Sequence, residues 1–211
     1  AGVFDPPEGS GRSISWIAPR EPGAATVTLH VSDGIAGRSL DVSIPVAAPL
    51  PPITSGDVIL RDNGYPYLVS SAEPVVCGNA TTLGIDAGVE IFFQKETGGI
   101  EILGGLLVAG TADRPVSMAP NDAPGEYRGW GGVKIRGTWG NARIANLAMR
   151  DATYGVMVQD YATAEIDSSQ IIHTYGTAVT IRNGSWAVLR DVVCRYGKGG
   201  VSAYDASMRI E

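Results

Sequence analysis

Three side chains of the Asp/Asn type, Asp160, Asn183 and Asp205, recur at intervals of 23 and 22 residues, with Gly137 one interval before them. Asp160 and Asp205 could supply the acid and base of glycoside hydrolysis, which needs two carboxylates roughly 5 to 9.5 Å apart. The three could instead hold a calcium ion through oxygen ligands. Against both stands turn chemistry, because Asp and Asn tolerate left-handed backbone and bond their own neighbours. His173 shares the chain with one other histidine, His30, and is the candidate general base of this region. Tyr154, Tyr175 and Tyr196 each precede a glycine and lie 21 residues apart. Stacked on one another they would form an aromatic ladder; exposed, they would be a ligand-binding strip for sugar rings.

The elements that must position these residues announce themselves by repetition. Val133-x-Ile135, Val156-x-Val158, Val179-x-Ile181 and Val201-x-Ala203 recur at 23, 23 and 22 residues. Ile144, Ile166, Leu189 and Ile210 keep step at 22, 23 and 21. Alternation of period 2 marks strands. Two such strands per repeat, kept in register, mark a solenoid in which each turn adds one layer. The predicted fold is all-β, a single-stranded parallel β-helix with coils of about 22 residues. Asp160 and Asp205 would then stand two coils apart, roughly 10 Å at the usual strand spacing, a marginal separation for catalysis.

The same register predicts the outer surface. Lys134, Met157, Thr180 and Ser202 should point outward on one strand. On the other, Arg143 should lie under Glu165, and Ala145, Asp167, Arg190 and Glu211 should follow one another. Unlike charges then meet on adjacent rungs, which fixes stacking register more than it adds stability.

Residues 1–48 read as a small all-β unit, with alternation in Ser13–Ile17, Thr26–Val31 and Leu40–Val46 and turns at Pro22-Gly23 and Asp33-Gly34. Trp16-Ile17-Ala18-Pro19, Pro22-Gly23 and Val31-Ser32-Asp33-Gly34 resemble the C-terminal half of bacterial immunoglobulin-like or PKD-like domains, a β-sandwich-like portion. Residues 49–56 form a proline-rich linker, carrying Pro49, Pro51 and Pro52. The solenoid occupies 57–211, opening on capping strands at Tyr65–Val69 and Glu73–Val76.

Gly110-Thr111-Ala112-Asp113-Arg114-Pro115-Val116-Ser117-Met118, an irregular loop over Asn121–Arg128, and then Trp130-Gly131-Gly132-Val133 form a telling succession. It resembles right-handed parallel β-helix domains of large bacterial surface and secreted proteins. In those domains a Gly-Thr-x-x-x-Pro-Val-x-Phe coil leads through a loop into Trp-x-Gly-Ile; Met118 and Val133 replace the Phe and Ile. The resemblance implies a right-handed winding and an extracellular or cell-surface setting. It says little of activity, since the matched residues are turn glycines and core hydrophobes.

Composition narrows the functional classes. A net charge of -6 with 18% charged residues leaves no footprint for nucleic acid. No apolar run approaches the roughly 18 to 20 residues of a membrane span. Cys77 and Cys194 are several coils apart, so no disulfide should join them; Cys194 matches Met149 and Ile171 as an inward position. Asn79-Ala80-Thr81 and Asn183-Gly184-Ser185 fit the glycosylation acceptor, which matters only in a eukaryotic secretory route. Zinc clusters and phosphate-cradling glycine loops are missing, as is the polygalacturonase-like set of Asn-x-Asp, Asp-Asp, Gly-His-Gly and Arg-x-Lys.

The expected function is a non-catalytic structural or adhesive segment, binding a polysaccharide or another surface protein, with no cofactor unless calcium. The alternatives are a polysaccharide lyase or glycoside hydrolase using Asp160, Asp205 and His173, and a self-assembling filament or surface-layer subunit. The last would dock on an uncapped C-terminal coil, where the rest of a longer polypeptide or another subunit is also expected.

Overall fold

The structure, a computed structural model, describes residues 3–5, 15–17, 22–32, 37–51, 53, 56–94, 98–121 and 129–211. Ser13-Ile14, Ala18-Pro19, the Asp33-Gly34 turn, Pro52 and nearly all of the Asn121–Arg128 loop lie outside them. The chain divides into two compact units, Ala1–Ala48 with Gly64–Pro66, and Pro49–Asn63 with Tyr67–Glu211.

The first unit is antiparallel. Gly23–Ser32 pairs with Gly37–Val46 from Gly23 opposite Val46 to Ser32 opposite Gly37. Thr28 and Asp41 face each other there, and the Thr28 hydroxyl donates to Asp41 Oδ1 at 2.6 Å. A shorter pair joins Val3–Asp5 to Ser15–Ile17.

The second unit is a parallel β-solenoid with three strands per coil, one on each of three faces. Face A holds Val75–Cys77, Ile100–Ile102, Val133–Arg136, Val156–Gln159, Thr177–Arg182 and Gly199–Tyr204. Face B holds seven strands, from Val58–Leu60 and Thr82–Asp86 through Gly105–Ala109, Asn141–Ala145, Thr163–Asp167 and Trp186–Arg190 to Ser207–Ile210. Face C runs from Tyr67–Val69 through Glu90–Phe93, Val116–Pro120, Leu147–Arg150 and Gln170–Ile172 to Val193–Arg195. The two sequences expected to cap the solenoid thus supply the first strands named on faces C and A.

The register is the one the sequence predicts. Val133, Val156, Val179 and Val201 are successive partners on face A, and Ile144, Ile166, Leu189 and Ile210 on face B. Interior positions of the inner coils are sealed, with Ile135, Val158, Val179, Ile181 and Ile166 fully buried. Fully burying each such side chain stabilises the fold by about 1.5–3 kcal/mol. Val201, Ala203 and Ile210, expected inward on the last rungs, are exposed because no further rung covers them here. The largest interior group, Trp130, stacks on Phe93 with ring centroids 3.8 Å apart, and its indole N–H donates to the Arg150 carbonyl. Among the described residues no helix is long and apolar enough to cross a membrane.

What closes each coil is a set of left-handed corners. Nine of the ten described non-glycine residues with positive φ fall into three columns along the solenoid. Gly137, Asp160, Asn183 and Asp205 turn the chain from face A to face B. Asn146, Ser168 and Asp191 turn it from B to C, and Asp151, His173 and Tyr196 leave face C. Cross-coil backbone bonds lock each column, as from Gly137 N to Gln159 O, Ser168 N to Arg190 O and His173 N to Arg195 O. Left-handed backbone costs an ordinary L-residue roughly 1–2 kcal/mol, and Asn and Asp bear it best. Six of the nine are Asn or Asp, so the corners follow the chemistry of the side chain.

Candidate functional site

The Asp160–Asn183–Asp205 column is turn structure in its geometry. Asn183 Nδ2 donates to Asp160 Oδ1 at 2.7 Å, and Gln159 Nε2 donates to Asp160 Oδ2 at 3.1 Å. Both oxygens of Asp160 are therefore engaged by amides. The Asp205 carbonyl accepts from Gly184 N–H at 2.6 Å. Among the described residues no group of three or more His, Cys, Asp or Glu side chains is placed to hold a metal ion.

His173 stands in a different column, beside the buried Asp151. Its Nδ1 lies 3.7 Å from Asp151 Oδ1, while Arg150 Nη1 donates to Asp151 Oδ2 at 2.6 Å. The Tyr196 ring packs against the imidazole, with centroids 4.9 Å apart. Asp160 and Asp205 turn the chain from face A to face B, whereas His173 sits where it leaves face C. The structure does not bring the three catalytic candidates to one corner.

The three tyrosines do not stack on one another. Their spacing is 21 residues, whereas Val156 pairs with Val179 at 23, so Tyr175 slips two residues against Tyr154. Each takes its own partner. The Tyr154 ring lies against Gly176 of the next coil, occupying the space where a Cβ would stand. Lys198 Nζ sits 3.9 Å over the Tyr175 ring, and Tyr196, on left-handed backbone, meets His173. All three remain exposed.

Two of them flank a feature the sequence did not reveal. A groove of about 1050 Å³ runs along face A, lined by residues from Pro74 to Tyr204. Its floor is one register column, Glu101, Lys134, Met157, Thr180 and Ser202. Tyr154 and Tyr175 line it beside the glycines that enter face A, and Arg182 and Tyr204 line it at the other end of the strands. Outward direction was legible for Lys134, Met157, Thr180 and Ser202. Shelter was not, for Met157 and Thr180 are 9% exposed although they face away from the interior.

Glycine makes the groove's near edge. Gly132 has φ +91°, and a Cβ there would stand 1.9 Å from the Tyr154 carbonyl; at Gly155 one would stand 2.1 Å from the Ala178 carbonyl. No side chain fits between coils at these two points, and at Gly132, which lines the groove, the backbone itself is part of the surface.

The charges are unevenly neutralised. Glu101, the acid of the lining, is ion-paired to Arg136. No carboxylate among the described residues pairs with Lys134 or Arg182; the Arg182 guanidinium donates to Gln159 Oε1 from Nε at 2.9 Å and from Nη2 at 2.5 Å. On face B the charge register is as expected, but the pairing is concentrated on one residue. Arg190 pairs with Glu211 and lies 3.8 Å from Glu165, whereas Asp167 accepts from Ser168 Oγ at 2.8 Å. The Glu211 hydrogen bond, ahead of the surrounding carboxylates, holds the Arg190 pKa above its usual value.

Cys77 and Cys194 are both free thiols. Cys77 is fully buried, its Sγ 2.9 Å from Thr81 Oγ1. Cys194 pairs with Ile171 in register, and burial pushes its thiol pKa up.

Fold and surface together define a parallel β-solenoid with a lateral groove on one face. No protein-family model, curated protein or solved structure matches the chain.

Proposed function

We infer that this chain is a non-catalytic structural or adhesive segment of a bacterial extracellular or cell-surface protein, whose solenoid binds an extended carbohydrate along face A. The groove carries the reading: it crosses five successive coils, as a linear ligand requires, with the exposed rings of Tyr154, Tyr175 and Tyr204 on its lining. Aromatic rings give sugars an apolar platform with little loss of side-chain freedom on binding. In this reading the first unit, Ig-like or PKD-like, acts as a spacer. Support for a non-catalytic role comes from Asp160, whose carboxylate is occupied by two amides, and from the separation of His173 from it.

The test pairs a polysaccharide binding screen with a product assay on the same samples. The expected result is saturable binding to at least one linear polysaccharide without cleavage, weakened about tenfold or more by Tyr154→Ala with Tyr175→Ala. Cleavage that Asp160→Asn abolishes would replace this reading with a polysaccharide lyase or hydrolase.

A further inference from the structure

Building on the groove as the carbohydrate site, we propose that its ligand is a carboxylated oligosaccharide, held by Lys134 and Arg182. The argument starts from charge. The whole chain carries a net charge of -6, yet among the described residues the groove's charged lining is Glu101, Lys134 and Arg182. Glu101 is already neutralised by Arg136, and no carboxylate among the described residues pairs with the lysine or the arginine. Asp160 and Asp205, at the adjoining corner, are not part of the lining.

Each cation is presented differently. Lys134 stands in the floor column, directly between Glu101 and Met157 in register. Arg182 stands in the neighbouring outward column, between Gln159 and Tyr204. Its Nε and Nη2 both bond one neutral amide oxygen, which orients the guanidinium and leaves its charge uncancelled. Held this way, the guanidinium keeps its Nη1–Nη2 edge for a carboxylate, which that edge can meet with two parallel donors. The two cations are two coils apart, roughly 10 Å along the axis at the usual strand spacing. A linear anion lying in the groove can reach both, and a single small anion cannot. Lys198, over the Tyr175 ring, adds positive potential at the rim.

An anionic polymer of any kind would feel this field. Carbohydrate is favoured because the surface between and beside the cations is Met157, Thr180 and, one rung past Arg182, Ser202, two hydroxyls and an apolar patch, bordered by tyrosine. Hydroxyls and ring faces match the hydroxyls and C–H faces of sugars.

The experiment is calorimetric titration of the wild-type chain with a linear hexauronate and with its carboxyl-reduced, neutral counterpart. The uronate should bind at least about tenfold tighter at low salt, and that advantage should shrink in about 0.5 M salt. Lys134→Gln and Arg182→Gln should each remove most of the advantage, read as the ratio of uronate to neutral affinity within each variant. Lys134→Arg should retain it, and Arg143→Gln on face B should have no effect; thermal melts confirm that each variant is folded. Equal binding of uronate and neutral sugar overturns the charge assignment and leaves the groove reading intact. Binding of neither sugar overturns both. Single-stranded nucleic acid binding as tightly as the uronate would show that charge alone is read, and overturns the carbohydrate assignment.

Discussion

Asn183 donates its side-chain amide to Asp160 across one coil step, at 2.7 Å, with both residues on left-handed backbone. The neutral residue of the column thus sits between two acids. Asn183→Asp would set three carboxylates on successive rungs and lose the donor. Stability at neutral pH should fall by about 1–2 kcal/mol. Repulsion raises carboxylate pKa values in the folded state, so that state binds more protons, and the deficit should shrink as pH falls through about 5 to 4. Urea midpoints of both proteins across that range measure it.

Asp191 occupies the B-to-C corner with φ +48°. Asp191→Val should destabilise by roughly 1–2 kcal/mol, since β-branched residues resist this backbone. Asp191→Gly should leave the thermal midpoint nearly unchanged or raise it. A glycine variant less stable than the valine variant would contradict the corner assignment.

At Gly155 the obstacle is steric. Gly155→Ala would place a methyl group 2.1 Å from the Ala178 carbonyl of the next coil. Backbone must move to admit it, at a cost on the order of 1–3 kcal/mol. The expected signature is a lower unfolding midpoint with weaker ligand binding, because Tyr154, its neighbour in the chain, lines the groove and moves too. Gly137→Ala is the comparison: space is open there, and the cost is that of φ +82° alone.

Burial raises the Cys194 thiol pKa above the ordinary 9.0. Less thiolate is present at neutral pH, so alkylation should be slower than for a free cysteine and accelerate at higher pH than usual. The sign for stability follows. The folded state keeps its proton longer, so this contribution is intact below pH about 9 and lost as pH rises through the folded pKa. Mass-spectrometric alkylation rates for wild type and Cys194→Ala test the first point, and their relative midpoints at pH 8 and 10 the second.

The architecture was legible because a solenoid repeats its constraints. Val133, Val156 and Val179 must each fill the same interior slot and pair with the next rung, so period and register appear together in the sequence. Corner residues were legible where the chemistry is local, as at Asp160, Asn183 and Asp205. The tyrosine stack was misread because shared spacing of 21 residues is not shared register when coils advance by 22 or 23. The groove was not legible at all. Met157 and Thr180 share its lining with Tyr154, Gly129, Gly131 and Gly132, which lie outside the strand alternation. Nor could register alone say that Arg190 would pair with Glu211 and not Asp167, a choice made by side-chain reach.

One coil has a consequence for how this protein can change. Ile100 and Val133 are adjacent partners on face A though 33 residues apart, whereas Val133 and Val156 are 23 apart. The extra length falls between face C and face A, and Gly129 and Gly131 at its end line the groove. Insertions at that corner leave every interior slot filled and every rung paired. Selection, or a protein engineer, can therefore change the length of this one connection while the scaffold keeps its pitch.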